Sequence, residues 1–164
     1  MQNQMNKYRR LKNLFLRQSY LDAWEDYQRS ILKKSFPKWD YIVLTASNEE
    51  QGKAFQKQIE YRSEKGVLPD ATKFLVIPDP DGKRIGSGGA TLHVLRTLSE
   101  REGFLGDFHG KRILVIHSGG DSKRVPQYSV CGKLFSPVPR ELPDGRGSTL
   151  FDEFLIGMSG VPSR

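Results

Sequence analysis

Three short runs of apolar, largely β-branched residues, Tyr41–Thr45, Phe74–Ile77 and Ile113–Ile116, alternate with segments of helical periodicity, and this alternation constrains the fold more than any other feature. Runs this short and this apolar suit strands buried on both faces, as in a parallel sheet covered by helices. Between the first two, Ser47 with Glu50 three residues later has the form of a capping box, predicting a helix that runs to about Lys65 and stops at Gly66. Between the second and third, Pro78 and Pro80 end the strand, a loop spans 79–89, and Leu92, Leu95 and Leu98 mark a helix over about Ala90–Glu102. After the third comes a basic, proline-bearing stretch to Arg140 and a polar turn over Pro143–Gly147. Thr149 and Asp152 then stand in capping-box positions for a last helix from Leu150. The expected class is α/β: a Rossmann-like, mostly parallel sheet with flanking helices.

Ahead of the first strand, Leu11, Leu14, Phe15, Leu21, Trp24 and Ile31 recur near helical spacing between Tyr8 and Leu32, and Pro37 sets the stop near Ser35. The net charge is +7, and much of the excess falls in this segment, where Lys7, Arg9, Arg10, Lys12 and Arg17 precede the first acid, Asp22. A solvated helix face accounts for most of it, while association with a partner chain or RNA is the competing use of such a surface. The chain therefore divides into an amphipathic basic segment over 1–38 and one α/β unit over 39–164. No apolar run approaches the roughly 20 residues that cross a bilayer, and Met1–Arg10 is polar, so the reading is a cytoplasmic protein without a membrane role. Cys131 is the single cysteine, which excludes an intrachain disulfide and a thiolate metal cluster.

In parallel sheets, ligands sit at the carboxyl ends of the strands, and two glycine-rich turns fall there: Ile85–Thr91 and His117–Arg124. Glycine lets the backbone approach a ligand, and successive N–H groups form a concavity that holds anions, phosphate first among them. A Walker loop does not fit, because Leu134 follows Gly132-Lys133 where Ser or Thr should ligate magnesium, and Gln127 replaces the earlier glycine. A dinucleotide fingerprint fits poorly, because Gly86-Ser87-Gly88-Gly89-Ala90-Thr91 puts Thr91 at the third glycine and follows a long loop. His93 and His117 have no visible acid–base partner.

The second turn, with Ser118-Gly119-Gly120, Lys123-Arg124, Pro126 and then Gly132-Lys133, resembles the signature of nucleotide-sugar pyrophosphorylases. It departs from the general pattern at Ser122, Lys123 and Gly132 and in an Arg-to-Lys gap one residue shorter. With those departures, IPDPDGKRIGSGGATLHVL, ILVIHSGGDSKRVPQYSVCGKLFSPVPR and TLFDEFL together closely resemble the L-fucose-1-phosphate guanylyltransferase family, including its fusions to an L-fucokinase, over roughly Trp39 to Pro162. The resemblance implies a Rossmann-like nucleotidyltransferase fold, of which 39–164 would be the N-terminal, nucleotide-binding part. It also implies GTP and L-fucose 1-phosphate as substrates, GDP-L-fucose and pyrophosphate as products, and magnesium as the metal. On that pattern Arg124 and Lys133 are the catalytic cations. Ser118, Gly119, Gly120, Asp121, Ser122 and Lys123 cradle the triphosphate, with Asp121 either a metal ligand or a cap for turn amides. Gly86, Gly88 and Gly89 meet the base or ribose. No metal ligand is assigned, and the rest of such an enzyme is the expected partner. The competing reading is a non-catalytic domain that associates through its basic helix.

Overall fold

The computed structural model describes residues 2–118 and 132–164, with side chains from residue 5. The apolar runs form three strands, β1 (Tyr41–Ala46), β2 (Lys73–Pro78) and β3 (Ile113–His117), in one parallel sheet of order β2-β1-β3. In register, Tyr41 stands beside Lys73 on one side and Ile113 on the other, and Thr45 beside Ile77 and His117. Every residue of β1 is buried, because it is paired on both edges and covered on both faces.

The faces follow from the period-two alternation of strand side chains. Tyr41 and Val43 point to one side and pack with Ile77, Val94 and Leu98, the last two from α3 (Gly86–Glu102). Ile42, Leu44 and Ala46 point to the other and pack with Phe55 and Ile59 of α2 (Glu49–Glu64), and with Phe151, Leu155 and Ile156 of the helix over Leu150–Ser159. A fully buried Val, Leu, Ile or Phe among these is worth about 1.5–3 kcal/mol of burial free energy. The chain moves from β1 to β2 through α2 on one face, then crosses back over β1 to β3 through α3 on the other. That is a doubly wound, partial Rossmann-like α/β arrangement, and its strand order reverses between β1 and β3.

The N-terminal helix, α1 (Gln2–Leu32), begins earlier than its apolar spacing predicts and ends three residues sooner. Its C-terminal part is core: Trp24 and Tyr27 are buried in the cluster with Ile42 and Leu44, and the Tyr27 hydroxyl donates to the Val67 carbonyl at 2.7 Å. Further back, Met5, Tyr8, Leu11, Leu14 and Phe15 are all exposed.

Two sequence expectations need correction. The cap of α2 is Asn48, not Ser47: the Asn48 side chain accepts from the Gln51 amide at 2.8 Å. Because β1 continues to Ala46, Ser47 lies one residue outside the helix, and Gln51 Oε1 accepts from the Ser47 amide in place of the expected Glu50. Helix α3 starts at Gly86, four residues before the expected Ala90, so the glycine cluster is its first turn. The proline-bearing stretch also folds into more than a loop. Pro137–Glu141 (β4) and Gly147–Thr149 (β5) form an antiparallel hairpin, with an irregularity between Val138 and Glu141. A two-stranded hairpin has outward edges, where the missing N–H groups of Pro137 and Pro139 break no ladder.

The last helix, α4 (Leu150–Ser159), has the expected cap, with the Thr149 side chain accepting from Asp152 N and the Asp152 carboxylate from Thr149 N at 2.9 Å. Asp152 also accepts from Arg62 of α2 at 3.1 and 3.2 Å, both side chains being about nine-tenths buried, and the guanidinium lies over the Phe135 and Phe151 rings. Burial alone raises the Asp152 pKa, but the hydrogen bonds from Arg62 and Thr149 outweigh it and hold the carboxyl below its ordinary value.

Candidate nucleotide site

The reversal of strand order between β1 and β3 places a crevice at their carboxyl ends, and sequence-distant polar residues meet there. The two strand ends are tied together: Ser118 N donates to Thr45 Oγ1 at 3.2 Å, and the Ser118 hydroxyl donates to the Thr45 carbonyl. Ser118 is buried, so it anchors the root of the turn, and in this structure its amide is already engaged. The second strand end is fastened alike, with Asp79 N donating to the Ala46 carbonyl at 2.8 Å.

Helix α3 opens onto the same edge. Its N-cap, Ile85, has no side-chain acceptor for the first-turn amides, which carry the positive end of the helix dipole. The three glycines of this turn have different reasons to be glycine. Gly86 has φ 71°, in the left-handed region. A Cβ on Gly89 would lie 2.9 Å from Ile85 Cβ, a clash, while one on Gly88 would meet nothing within 4 Å. Packing therefore does not demand glycine at Gly88. Thr91, one turn on, bonds to the Ser87 carbonyl at 3.0 Å and lies 3.1 Å from His117 Nε2, joining α3 to the end of β3.

Between these elements lies a cleft of about 340 Å³ lined by Thr45, Asp79, Arg84, Gly86, Ser87, Ala90 and His117. Asp79 is 8% exposed. Burial pushes its carboxyl above the ordinary value, against the opposing pull of His93, Arg84 and His117 and a hydrogen bond from the Ile85 amide.

Lys133 follows a residue that packs on α2, on the other face of the sheet. Gly132 before it has φ 73°, and a Cβ there would lie 2.8 Å from Gln51 Nε2 and 3.1 Å from Phe55 Cζ, which seats the segment against the first turns of α2. That contact explains why glycine stands here. Leu134 is buried and its carbonyl accepts from Phe151 N at 2.7 Å, while the Lys133 side chain is exposed. Gly119, Gly120, Asp121, Ser122, Lys123 and Arg124 lie outside the described residues. Gly86, Gly88, Gly89 and Ser118 are at the carboxyl edge of the sheet, and Lys133 follows the residue seated on the first turns of α2. Sequence reasoning missed Thr45, Asp79 and Arg84 and the contact of His117 with Thr91. Only His117, the polar residue directly after the third apolar run, carried a local signal. Among the described residues no group of three or more His, Cys, Asp or Glu side chains converges as a metal site, and no helix is long and apolar enough to cross a membrane.

Residues 106–164 match the family model of the fucose pyrophosphorylase domain. The bifunctional fucokinase/GDP-fucose pyrophosphorylase of Arabidopsis thaliana is 41% identical over 140 residues, covering 73% of this chain and 13% of that protein. The fucose-1-phosphate guanylyltransferase of Mus musculus is 40% identical over 102 residues, 62% of this chain and 17% of its own. The L-fucokinase/L-fucose-1-P guanylyltransferase of Bacteroides fragilis is 35% identical over 72 residues, 42% of this chain and 8% of its own. The chain thus spans less than a fifth of the length of these relatives. No solved structure matches it. Over the part of its length that these matches cover, the chain is related to the fucose pyrophosphorylase family.

Proposed function

We propose that this chain forms the nucleotide-binding part of an enzyme that transfers guanylyl from GTP to L-fucose 1-phosphate, releasing pyrophosphate. The observation that carries the reading is the meeting of the glycine-opened α3 and the root of the turn after β3 at the carboxyl edge of a doubly wound sheet. The relatives named for this activity, one of them also for a fucokinase, support the choice of substrates.

In the reaction a sugar-phosphate oxygen attacks the α-phosphorus of GTP and the bond to the β-phosphate oxygen breaks, so rate depends on positioning and charge neutralisation. Turn amides over Gly119–Ser122 hold the triphosphate, and Arg124 takes the departing pyrophosphate oxygens with its planar fork while Lys123 assists. Lys133 supplies a mobile point charge at the α-phosphate or the incoming sugar phosphate. Magnesium, the metal implied by the resemblance, finds no converging ligand set among the described residues, so no step is assigned to it.

Isothermal titration with GTP and magnesium, repeated on Arg124→Ala and Lys133→Ala, tests the reading together with pyrophosphate release on adding L-fucose 1-phosphate. Specific binding that either substitution weakens by about tenfold or more supports it. A second reading, association through α1, is favoured by the exposed Tyr8, Leu11, Leu14 and Phe15 interleaved with basic residues. Equal, salt-labile binding of any polyanion by all three proteins would select it.

A further inference from the structure

We infer that Asp79 reads the purine, its carboxylate accepting from N1–H and the exocyclic amino group of guanine, with the base seated in the cleft between the β1 and β3 ends and the first turn of α3. This rests on the nucleotide-binding reading above and adds to it the residue that makes the base guanine. The cleft, about 340 Å³, falls in the range of small-molecule sites.

Among the described residues that line the cleft Asp79 is the one acid, and it is nine-tenths buried. The carboxylate repels phosphate at its own position, so the triphosphate extends away from Asp79 and the base end of the nucleotide belongs beside it. Guanine presents two adjacent N–H donors on its Watson–Crick edge, which the two oxygens of a carboxylate match in a charge-assisted pair. Adenine presents an acceptor at N1 and is turned away. An ionised carboxylate has acceptor capacity for two donors from the base beside whatever the protein supplies. Asp79 is fixed through its main chain, at the end of β2 and on Ala46. Arg84 and His117, which border the cleft, supply planar groups of the kind on which a base stacks.

The test is competition binding by the full chain with GTP, ITP, XTP and ATP, followed by the same series on Asp79→Asn with a thermal melt as folding control. In the unaltered protein, ITP, lacking the amino group, is expected to bind about tenfold more weakly than GTP, and ATP about a hundredfold or more. In Asp79→Asn the carboxamide accepts from N1–H and donates to the C2 carbonyl of xanthine, so preference inverts from GTP to XTP. Equal affinity of the unaltered protein for GTP, ITP and ATP overturns the inference while leaving nucleotide binding intact. So does a folded Asp79→Asn that loses all four nucleotides alike, the behaviour of a carboxylate that holds a metal or the loop. Binding of no triphosphate overturns both this inference and the reading beneath it.

Discussion

Replacing the three glycines of the first α3 turn by alanine, one at a time, separates structural need from ligand contact, because their surroundings differ. At Gly86 the φ of 71° is left-handed, so alanine costs about 1–2 kcal/mol of backbone strain. At Gly89 the new Cβ would sit 2.9 Å from Ile85 Cβ, so the helix start must shift or Ile85 must turn away, again at a cost of about 1–3 kcal/mol. At Gly88 φ is ordinary and the added methyl meets nothing within 4 Å, so alanine brings only its better helix propensity, a gain of up to about 1 kcal/mol. For a chain of this size that gain corresponds to a rise in Tm of about 1–4 °C. If a nucleotide approaches this backbone, the same methyl occupies its path, and GTP affinity should fall by about tenfold, or about 1.4 kcal/mol. Thermal melts and GTP titrations on the three variants read both quantities. A Gly88→Ala protein with raised Tm and unchanged GTP affinity would refute the placement of a ligand against α3.

Other consequences are independent of the nucleotide. Arg62→Met leaves the Asp152 carboxylate buried without its cation and should cost about 3–5 kcal/mol in urea unfolding, while pairing it with Asp152→Ala should recover part of that loss. Asp152 has a depressed folded pKa, so its stabilising contribution is complete above the unfolded value of about 3.9 and is lost as pH falls through the lower folded value; acid titrations of the unaltered protein and Asp152→Asn should converge below that range. Gly132→Ala, at φ 73° and against Gln51 and Phe55, should lower stability by at least about 1–2 kcal/mol by chemical denaturation. Removing residues 2–16, in which Met5 to Leu16 are exposed, should change the Tm by less than about 2 °C, whereas Trp24→Ala should cost about 3–5 kcal/mol.

The strands were legible because β1 is buried on both faces and the apolar runs of β2 and β3 are partly buried on either side of it. The Thr149–Asp152 cap was equally plain, since a capping box is local chemistry. At α2 the same local pattern misplaced the cap by one residue: Ser47 and Asn48 are both good caps, and the length of β1, fixed by its register with β2 and β3, decided between them. The glycines of α3 read as loop by propensity, yet the helix begins at Gly86 and includes them as its first turn. Lys133 and the glycine turns were visible as motifs. Asp79 was not, because it follows an ordinary run between two prolines, and only the fold sets it among Thr45, Arg84 and His117.

The most direct test of the account is a backbone-amide NMR titration of the full chain with GTP. Saturable shifts are expected at Thr45, Asp79, Gly86–Ala90, His117–Ser118 and Lys133, with α1 unmoved. Shifts confined to α1, or an unchanged spectrum at millimolar GTP, would contradict it.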